Sequence, residues 1–212
     1  MGRCLKTDMP GPDRRVSVAE VREKGWEAVF ASDLQAPLRL VVEIGFGRGE
    51  YLRHLALQAP GVAHVGVDRS PLRVLKMARR IARTEERNIR LVCALAEEMV
   101  EVLPQASVEA FWVNFPDPWP KRRHQRRRLL QAPFLHQLAR RLVPGGELQI
   151  ATDHRDYAEV IDAGLRGEPM LANALAPRAF VREVPLRMPT AYETRWLAEG
   201  RPLHFWTYRR TS

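Results

Sequence analysis

The feature that most constrains the fold is a regular alternation of short β-branched runs with helix-like segments. The runs are LRLVVEI (38–44), AHVGVD (63–68), IRLVC (89–93), VEAFWVN (108–114) and ELQIAT (147–152). Between them, segments such as PLRVLKMARRIAR and PFLHQLARRLV carry apolar residues at helical spacing. Strands that alternate with crossover helices predict an α/β fold, a doubly wound and mostly parallel sheet with helices on both faces.

The two ends of the chain depart from this alternation. Beyond residue 167, AFVREV and LHFWTYRR predict two strands separated by the polar, at most briefly helical stretch MPTAYETRWLAEGRP. They complete a seven-stranded sheet with a C-terminal antiparallel hairpin. Residues 1–15, which contain Pro10, Gly11 and Pro12, predict a flexible arm, and residues 16–212 a single domain.

Charge and residue composition limit which partners and ligands the chain is expected to bind. The chain has 34 Lys and Arg against 25 Asp and Glu, a net charge of +9 that favours a polyanion. It has no apolar leader and no window near 18 apolar residues, so a cytoplasmic location and no membrane contact are expected. Two cysteines and six histidines show no metal-ligand spacing, so no metal is expected, and Cys93 reads as a small buried residue.

The first strand runs directly into the glycine-rich sequence EIGFGRG, residues 43–49. Glycines at this point allow a tight turn and the close approach of a ligand to backbone N–H groups. The three are Gly45, Gly47 and Gly49, spaced more tightly than in dinucleotide-binding loops, and Glu43 precedes them. Such a loop alone is a weak signal, because a turn that needs positive φ explains it equally well.

A second carboxylate, Asp68, ends the next strand, where an acid can hold ribose hydroxyls. Carboxylates on both sides of a site would repel a pyrophosphate. They suit a ligand that carries a sulfonium, an ammonium and a ribose. This favours S-adenosylmethionine over a nicotinamide cofactor. The terminal two-strand excursion is also typical of Rossmann-like class I methyltransferases, by fold-level analogy.

The fourth strand ends in FPDPW, residues 115–119, at the edge of the sheet where ligands bind in parallel folds. Prolines on both sides of Asp117 stiffen the loop and hold that carboxylate near the reacting centre. A basic run follows at once, ahead of a helix with Pro133 in its first turn. Beside a methyl-transfer site, a run of cations predicts a nucleic-acid substrate.

These motifs together resemble the bacterial tRNA (guanine-N7)-methyltransferase family, which modifies the guanosine at position 46 of the variable loop. The resemblance extends from Trp26 onward and is most specific in FPDPWPKRRHQRRR and QAPFLHQLARRLVPGG; it continues through ATDHRDYAE to Thr190-Ala191-Tyr192-Glu193.

The resemblance implies a role for each matching position. Cofactor contacts fall to Glu43, Asp68, Asp117 and the glycine loop, with Asp117 also nearest the chemistry. Guanosine or tRNA contacts are Lys121, Asp153, Thr190, Tyr192 and Glu193. The RNA-contacting run is Arg123, His124, Arg126, Arg127 and Arg128. One departure is Leu95, where the family usually has Asp or Asn for the adenine; backbone groups, shape, Glu97 or Glu98 are the alternatives.

Guanine N7 is an unprotonated acceptor, so its methylation needs alignment and electrostatic stabilisation rather than a general base. Asp153 and Glu193 both remain candidates for reading the guanine N1–H and amino protons. Other interpretations are another nucleic-acid base methyltransferase, a non-enzymatic RNA-binding protein with a vestigial cofactor site, and, last, an NAD-dependent oxidoreductase. The oligomeric state, monomer or homodimer, is left open.

Overall fold

A computed structural model describes residues 7–84, 86–185 and 187–212 of the chain. Its strands are β1 (Arg15–Val16), β2 (Leu40–Ile44), β3 (Ala63–Asp68), β4 (Ile89–Cys93), β5 (Val108–Asn114), β6 (Leu142–Thr152), β7 (Leu171–Asn173) and β8 (His204–Arg210). Its helices are α1 (Val18–Phe30), α2 (Glu50–Gln58), α3 (Pro71–Ile81), α4 (Ala96–Val102), α5 (Ala132–Arg141), α6 (Arg155–Arg166) and α7 (Ala191–Ala198), with a 3-10 helix over Arg122–Arg127.

The strands form one sheet in the order β1-β4-β3-β2-β5-β6-β8-β7. Pairing is parallel from β1 through β6, and β8 runs antiparallel to both β6 and β7. The predicted fold class, mostly parallel with antiparallel C-terminal strands, is therefore confirmed.

Two details differ from the expected seven strands. The described sheet has eight, because Arg15–Val16 pairs with Leu91 and Val92 and adds an edge strand. The run AFVREV, which lies between Pro177 and Pro185, contributes only a single bridge from Val181 to Phe205. The short β7 pairs with β8 instead.

Helix capping explains where the first helices begin. The Ser17 hydroxyl accepts from the Glu20 amide at the start of α1, as the S-x-x-E pattern predicts. Gly25 interrupts that helix with a φ of 74°. Ser70 caps α3, whose first residue is Pro71. The last two residues of the expected arm, Arg14 and Arg15, contact β4, since the Arg14 carbonyl accepts from the Leu91 amide and Arg15 is in register with Leu91. Residues 1–6 fall outside the described chain.

Two apolar layers cover the sheet. Helices α1, α4, α5 and α6 pack on one face, around Phe30, Phe111 and Tyr157. Helices α2 and α3 pack on the other face through Leu52 and Met77. Cys93, expected to be buried, is exposed, because it is the last residue of β4 and lies where that strand leaves the core. No helix in the described residues is both long and apolar enough to cross a membrane.

The parallel pairing brings four strand ends together. Ile44 of β2 is in register with Val67 of β3 and Val113 of β5, and Asp68 is in register with Cys93 of β4. Because parallel strands point the same way, the loops that follow β2 to β5 all leave one edge of the sheet.

Candidate active site

A cavity of about 450 Å³ opens at this edge of the sheet. Its walls include residues from the glycine loop, from the ends of β3 and β4, and from the FPDPW loop. Of the predicted cofactor residues, Gly45, Asp68, Leu95 and Asp117 line it directly. This volume lies within the range of small-molecule sites in proteins.

The glycine loop needs its glycines for conformation. Gly45, Gly47 and Gly49 have φ of 74°, 56° and 72°, a region that other residues rarely adopt. A β-carbon on Gly49 would also collide with the side chain of Met77. The loop ends at Gly49, the N-cap residue of α2.

Asp68 is held by the loop that it faces. Its buried carboxylate accepts from the Gly47 amide at 3.1 Å and from the Ser70 amide at 2.9 Å. Arg73 lies 3.5 Å away. The carboxylate therefore has a fixed orientation at the cavity wall, with lone pairs left for further donors.

Glu43 is 2% exposed and does not line the cavity itself, but its neighbours Ile44 and Gly45 do. Its Oε1 accepts from the Asn114 amide at 3.1 Å, whereas its Oε2 is buried without a hydrogen-bond partner among the described residues. Burial raises the pKa of this carboxyl from 4.5 to about 8, although Asn114 and the charge of Arg187 oppose that rise. An unpaired buried acceptor of this kind suits a cationic or hydrogen-bonding ligand group.

Leu95 contributes apolar surface to the cavity, next to Ala94 and Ala96. Of the two acidic alternatives near it, Glu97 lines the cavity. Glu98 is engaged elsewhere, because its carboxylate accepts from the Leu95 amide at 3.2 Å.

The FPDPW loop is held in an uncommon backbone conformation. Phe115 and Trp119 have φ of 52° and 44°, in the left-handed region that costs non-glycine residues energy. The Phe115 amide donates to Ala151 of β6 at 2.9 Å, and Arg128 Nε donates to the Pro118 carbonyl at 2.8 Å. Asp117 is thereby displayed at the cavity mouth, where Arg69 Nη2 donates to its Oδ2 at 3.0 Å.

The basic run forms the 3-10 helix Arg122–Arg127, which we call the basic helix. Arg123 and Arg126 are exposed, as is Lys121 just before it. Arg127 lies over the Trp119 ring at 5.2 Å, and His124 meets the same ring edge-on at 5.9 Å. Arg127 and His124 therefore pack against the FPDPW loop, while Arg123 and Arg126 face solvent.

Arg128 is placed differently from the rest of the run. It is buried, donates to Pro118, and lies 5.0 Å from the Tyr157 ring centroid. Its geometry supports the loop from beneath and does not present the guanidinium on the exposed face. The sequence carries no periodic signal that separates Arg128 from its neighbours.

The remaining predicted substrate residues lie outside the walls of the main cavity. Asp153 follows β6 and pairs with Arg201 Nη1 at 3.4 Å. Thr190 and Glu193 form a capping box at the start of α7, and Tyr192 is half-exposed on the same turn. Glu193 is buried.

Four polar residues that the sequence did not mark take part in this site. Arg69 pairs with Asp117, Arg73 lies near Asp68, and Asn114 joins Glu43 to Arg187. Asn114 has one recognisable signal, since it is a polar residue at the carboxyl end of a buried strand. Arg187 has none beyond its position three residues before Thr190.

Comparison with known proteins decides the family. Residues 37–206 match the Methyltransf_4 family of methyltransferases. The chain is 41% identical over 170 residues to a tRNA (guanine-N(7)-)-methyltransferase of Halorhodospira halophila, covering 80% of this chain and 74% of that protein. A protein of the same description from Geobacter metallireducens is 35% identical over 216 residues, covering 100% of this chain and 98% of its own. The chain belongs to the tRNA (guanine-N7)-methyltransferase family.

Solved structures outside the family share the fold. The 16S rRNA methyltransferase KamB matches with a TM-score of 0.61 at 16% identity, covering 86% of this chain and 91% of its own. A 16S rRNA (adenine(1408)-N(1))-methyltransferase from Catenulisporales acidiphilia, solved with its cosubstrate S-adenosylmethionine, matches with a TM-score of 0.57 at 21% identity, covering 86% and 90%. At these identities the likeness extends to the fold alone.

Proposed function

We propose that this chain transfers a methyl group from S-adenosylmethionine to N7 of the guanosine at position 46 in the variable loop of tRNA. The observation that carries the proposal is the direct attachment of the basic helix, through FPDPW, to a cavity walled by Gly45, Asp68 and Asp117. Family membership supports the same activity, because relatives named as tRNA (guanine-N(7)-)-methyltransferases match most of the chain.

The residues around the cavity fit S-adenosylmethionine. The oriented carboxylate of Asp68 can accept from ribose hydroxyls, and the apolar surface at Leu95 suits an adenine ring. Glu97, on the same wall, is the acceptor that we assign to the adenine amino group. The unpaired Oε2 of Glu43 offers a buried acceptor for a donor group of the cofactor, and a cationic group bound there would favour the ionised carboxylate. When bound, this cofactor supplies the methyl group as an electrophile.

The exposed cations suit a polyanion such as tRNA. Lys121, Arg123 and Arg126 are exposed and have no ion-pair partners among the described residues. They belong to the same short segment as Trp119 and Arg127, which line the cavity. Each phosphate that they neutralise releases counterions, which strengthens binding at low salt. A tRNA substrate also implies a cytoplasmic location.

Asp117 has the geometry of an electrostatic catalyst. Methylation leaves positive charge on the guanine ring, and a carboxylate placed beside the ring stabilises charge that develops in the transition state. No proton has to leave N7, because that atom is an unprotonated acceptor. Because no proton has to be removed, we assign Asp117 no role as a general base. The stiff FPDPW loop positions its carboxylate for electrostatic stabilisation.

We assign recognition of the guanine base to Asp153. Both oxygens of Glu193 already accept, from Arg187 and from the Thr190 amide, whereas Asp153 has one long ion pair with Arg201. A carboxylate can accept from guanine N1–H and the amino group but not from the matching edge of adenine. Tyr192, half-exposed, offers a stacking surface for an unstacked base.

The test is transfer of labelled methyl from S-adenosylmethionine to an unmodified tRNA transcript, followed by nucleoside analysis. We expect 7-methylguanosine from the intact transcript and none from a matched transcript with adenosine at position 46. Methyl transfer to a different base, or to neither transcript, would contradict the proposed substrate, even if the protein binds S-adenosylmethionine.

A further inference from the structure

Arg187 lies buried between the first turn of α7 and Asn114, which lines the cavity, with 6% of its side chain exposed. Its Nε donates to Glu193 Oε1 at 3.1 Å, and its Nη2 donates to Glu193 Oε2 at 3.2 Å. This two-point geometry matches the planar fork of a guanidinium to a carboxylate, and it fixes orientation as well as distance.

The same guanidinium reaches the cofactor side of the site. Its Nη2 also donates to Asn114 Oδ1 at 2.7 Å, and the Asn114 amide nitrogen donates to Glu43 Oε1 at 3.1 Å. A continuous hydrogen-bonded path therefore joins Glu43 to Glu193 in α7. This path connects residues that are distant in the sequence, since Arg187 lies 73 residues from Asn114.

Three aromatic rings enclose the Arg187 guanidinium. Its Cζ lies 4.5 Å from the Tyr51 ring centroid, 5.2 Å from that of Phe205 and 5.5 Å from that of Trp112. The Tyr51 hydroxyl accepts from Nη1 at 3.2 Å. The rings leave the guanidinium little freedom, and an ammonium cannot reproduce both the stacking and the fork.

Glu193 connects Arg187 to the start of α7 through the hydrogen bonds of the capping box. It accepts from the Thr190 amide at 2.8 Å, and the Thr190 hydroxyl accepts from the Glu193 amide at 3.2 Å. Arg187 therefore orients the turn that carries Thr190 and Tyr192, because it holds the Glu193 carboxylate by two hydrogen bonds.

We propose that Arg187 is a positioning residue for methyl transfer, which sets the first turn of α7 at a fixed place relative to the cofactor site. This inference rests on the proposed function, in which that turn contacts the target guanosine. Reaction rates depend steeply on such placement, because a displacement of about 1 Å can cost about 100-fold.

The chain contains a matched pair that separates positioning from ordinary stability. Arg90 forms an ion pair with Asp33 at 2.6 Å, both side chains are 7% exposed, and its guanidinium lies 4.5 Å from the Phe30 ring. None of these three residues lines the cavity. Arg90 thus shares the burial, charge pairing and stacking of Arg187 without its location.

The experiment compares Arg187→Lys with Arg90→Lys. Lysine keeps the positive charge near Glu43, so we expect S-adenosylmethionine to bind Arg187→Lys within about threefold of the wild-type Kd. We expect its kcat/KM for tRNA to fall about 100-fold. Arg90→Lys should lower the melting temperature by a similar amount but leave kcat/KM within about threefold.

A milder variant guards against misfolding of Arg187→Lys. Tyr51→Phe keeps the ring and removes only the hydroxyl that accepts from Arg187, so we expect a smaller fall in kcat/KM for tRNA, about 5-fold, with unchanged cofactor affinity. If both Tyr51→Phe and any folded Arg187→Lys retain wild-type kcat/KM, Arg187 has no positioning role. If the wild-type protein itself makes no 7-methylguanosine, the proposed function fails first and this inference fails with it.

Discussion

Arg69 and Asp117 form an ion pair at the mouth of the cavity, with 3.0 Å between Nη2 of the arginine and Oδ2 of the aspartate. Their side chains are 61% and 66% exposed. Exposed pairs of this kind contribute only about 0–1 kcal/mol, so the contact orients Asp117 without locking it. The carboxylate remains available to a substrate that displaces Arg69.

Replacing Asp117 with alanine is expected to lower kcat for tRNA methylation by about 100-fold or more, because a preorganised charge facing the reacting atoms is lost. The dissociation constant for tRNA should stay within about threefold, since the cations of the basic helix are untouched. Kinetics and filter binding measure the two quantities. Glu109→Ala is the control, because Glu109 pairs with Arg39 away from the cavity. A parallel loss of tRNA binding would point to a structural role instead.

Arg123 and Arg126, two of the exposed arginines of the basic helix, are expected to contribute to the salt dependence of tRNA binding. In Arg123→Gln with Arg126→Gln, the slope of log Kd against log salt should decrease by roughly 1.5, since each phosphate contact contributes about 0.7–0.9. Titrations at several salt concentrations give the slope. The charge-matched control is Arg22→Gln with Arg178→Gln, since both arginines are exposed and lie outside the basic helix and the cavity wall. An equal change in both double variants would mean that only net charge matters.

Arg128 is expected to behave unlike its neighbours. Arg128→Gln removes the hydrogen bond to the Pro118 carbonyl and the stacking on Tyr157, and leaves that part-buried carbonyl unpaired. The free energy of unfolding should fall by about 1–3 kcal/mol, while the salt slope for tRNA binding stays unchanged. Denaturant melts and binding titrations test the two halves separately. A changed salt slope with wild-type stability would instead mean that Arg128 contacts RNA.

Sequence patterns predicted the parts of the site that follow from strand order. Because parallel strands end at one edge, the glycine loop, Asp68 and Asp117 could be expected to converge before any coordinates were known. Their residue types are also distinctive, since the positive φ at Gly45 and Gly49 favours glycine.

Contacts between distant side chains could not be predicted in the same way. Nothing in the local pattern shows that Arg187 meets Asn114, or that Arg128 turns inward while Arg126 faces solvent. Likewise, the alternation in AFVREV gives no sign that only Val181 pairs with β8. These outcomes depend on tertiary packing, which overrides local preference.

The raised pKa of Glu43 predicts a characteristic pH dependence of stability. Between about pH 4.5 and 8 the folded protein holds a proton that the unfolded chain has lost, so the free energy of unfolding falls as pH rises, by up to roughly 1.4 kcal/mol per unit. His64 acts oppositely at lower pH. Burial lowers its pKa from 6.5 to about 4, so the stability it contributes is lost as pH falls below 6.5.

Denaturant melts of the cofactor-free protein between pH 6.5 and 8.5 therefore isolate Glu43. We expect the wild-type free energy of unfolding to decline across this window, whereas Glu43→Gln, which carries no charge to bury, should show a flatter profile and greater stability at pH 8.5. Glu109→Gln serves as the control, because Glu109 lies near the surface, and should keep the wild-type decline. Identical profiles for wild type and Glu43→Gln would mean that Glu43 is already ionised when the protein is free, stabilised by Asn114 and by the charge of Arg187.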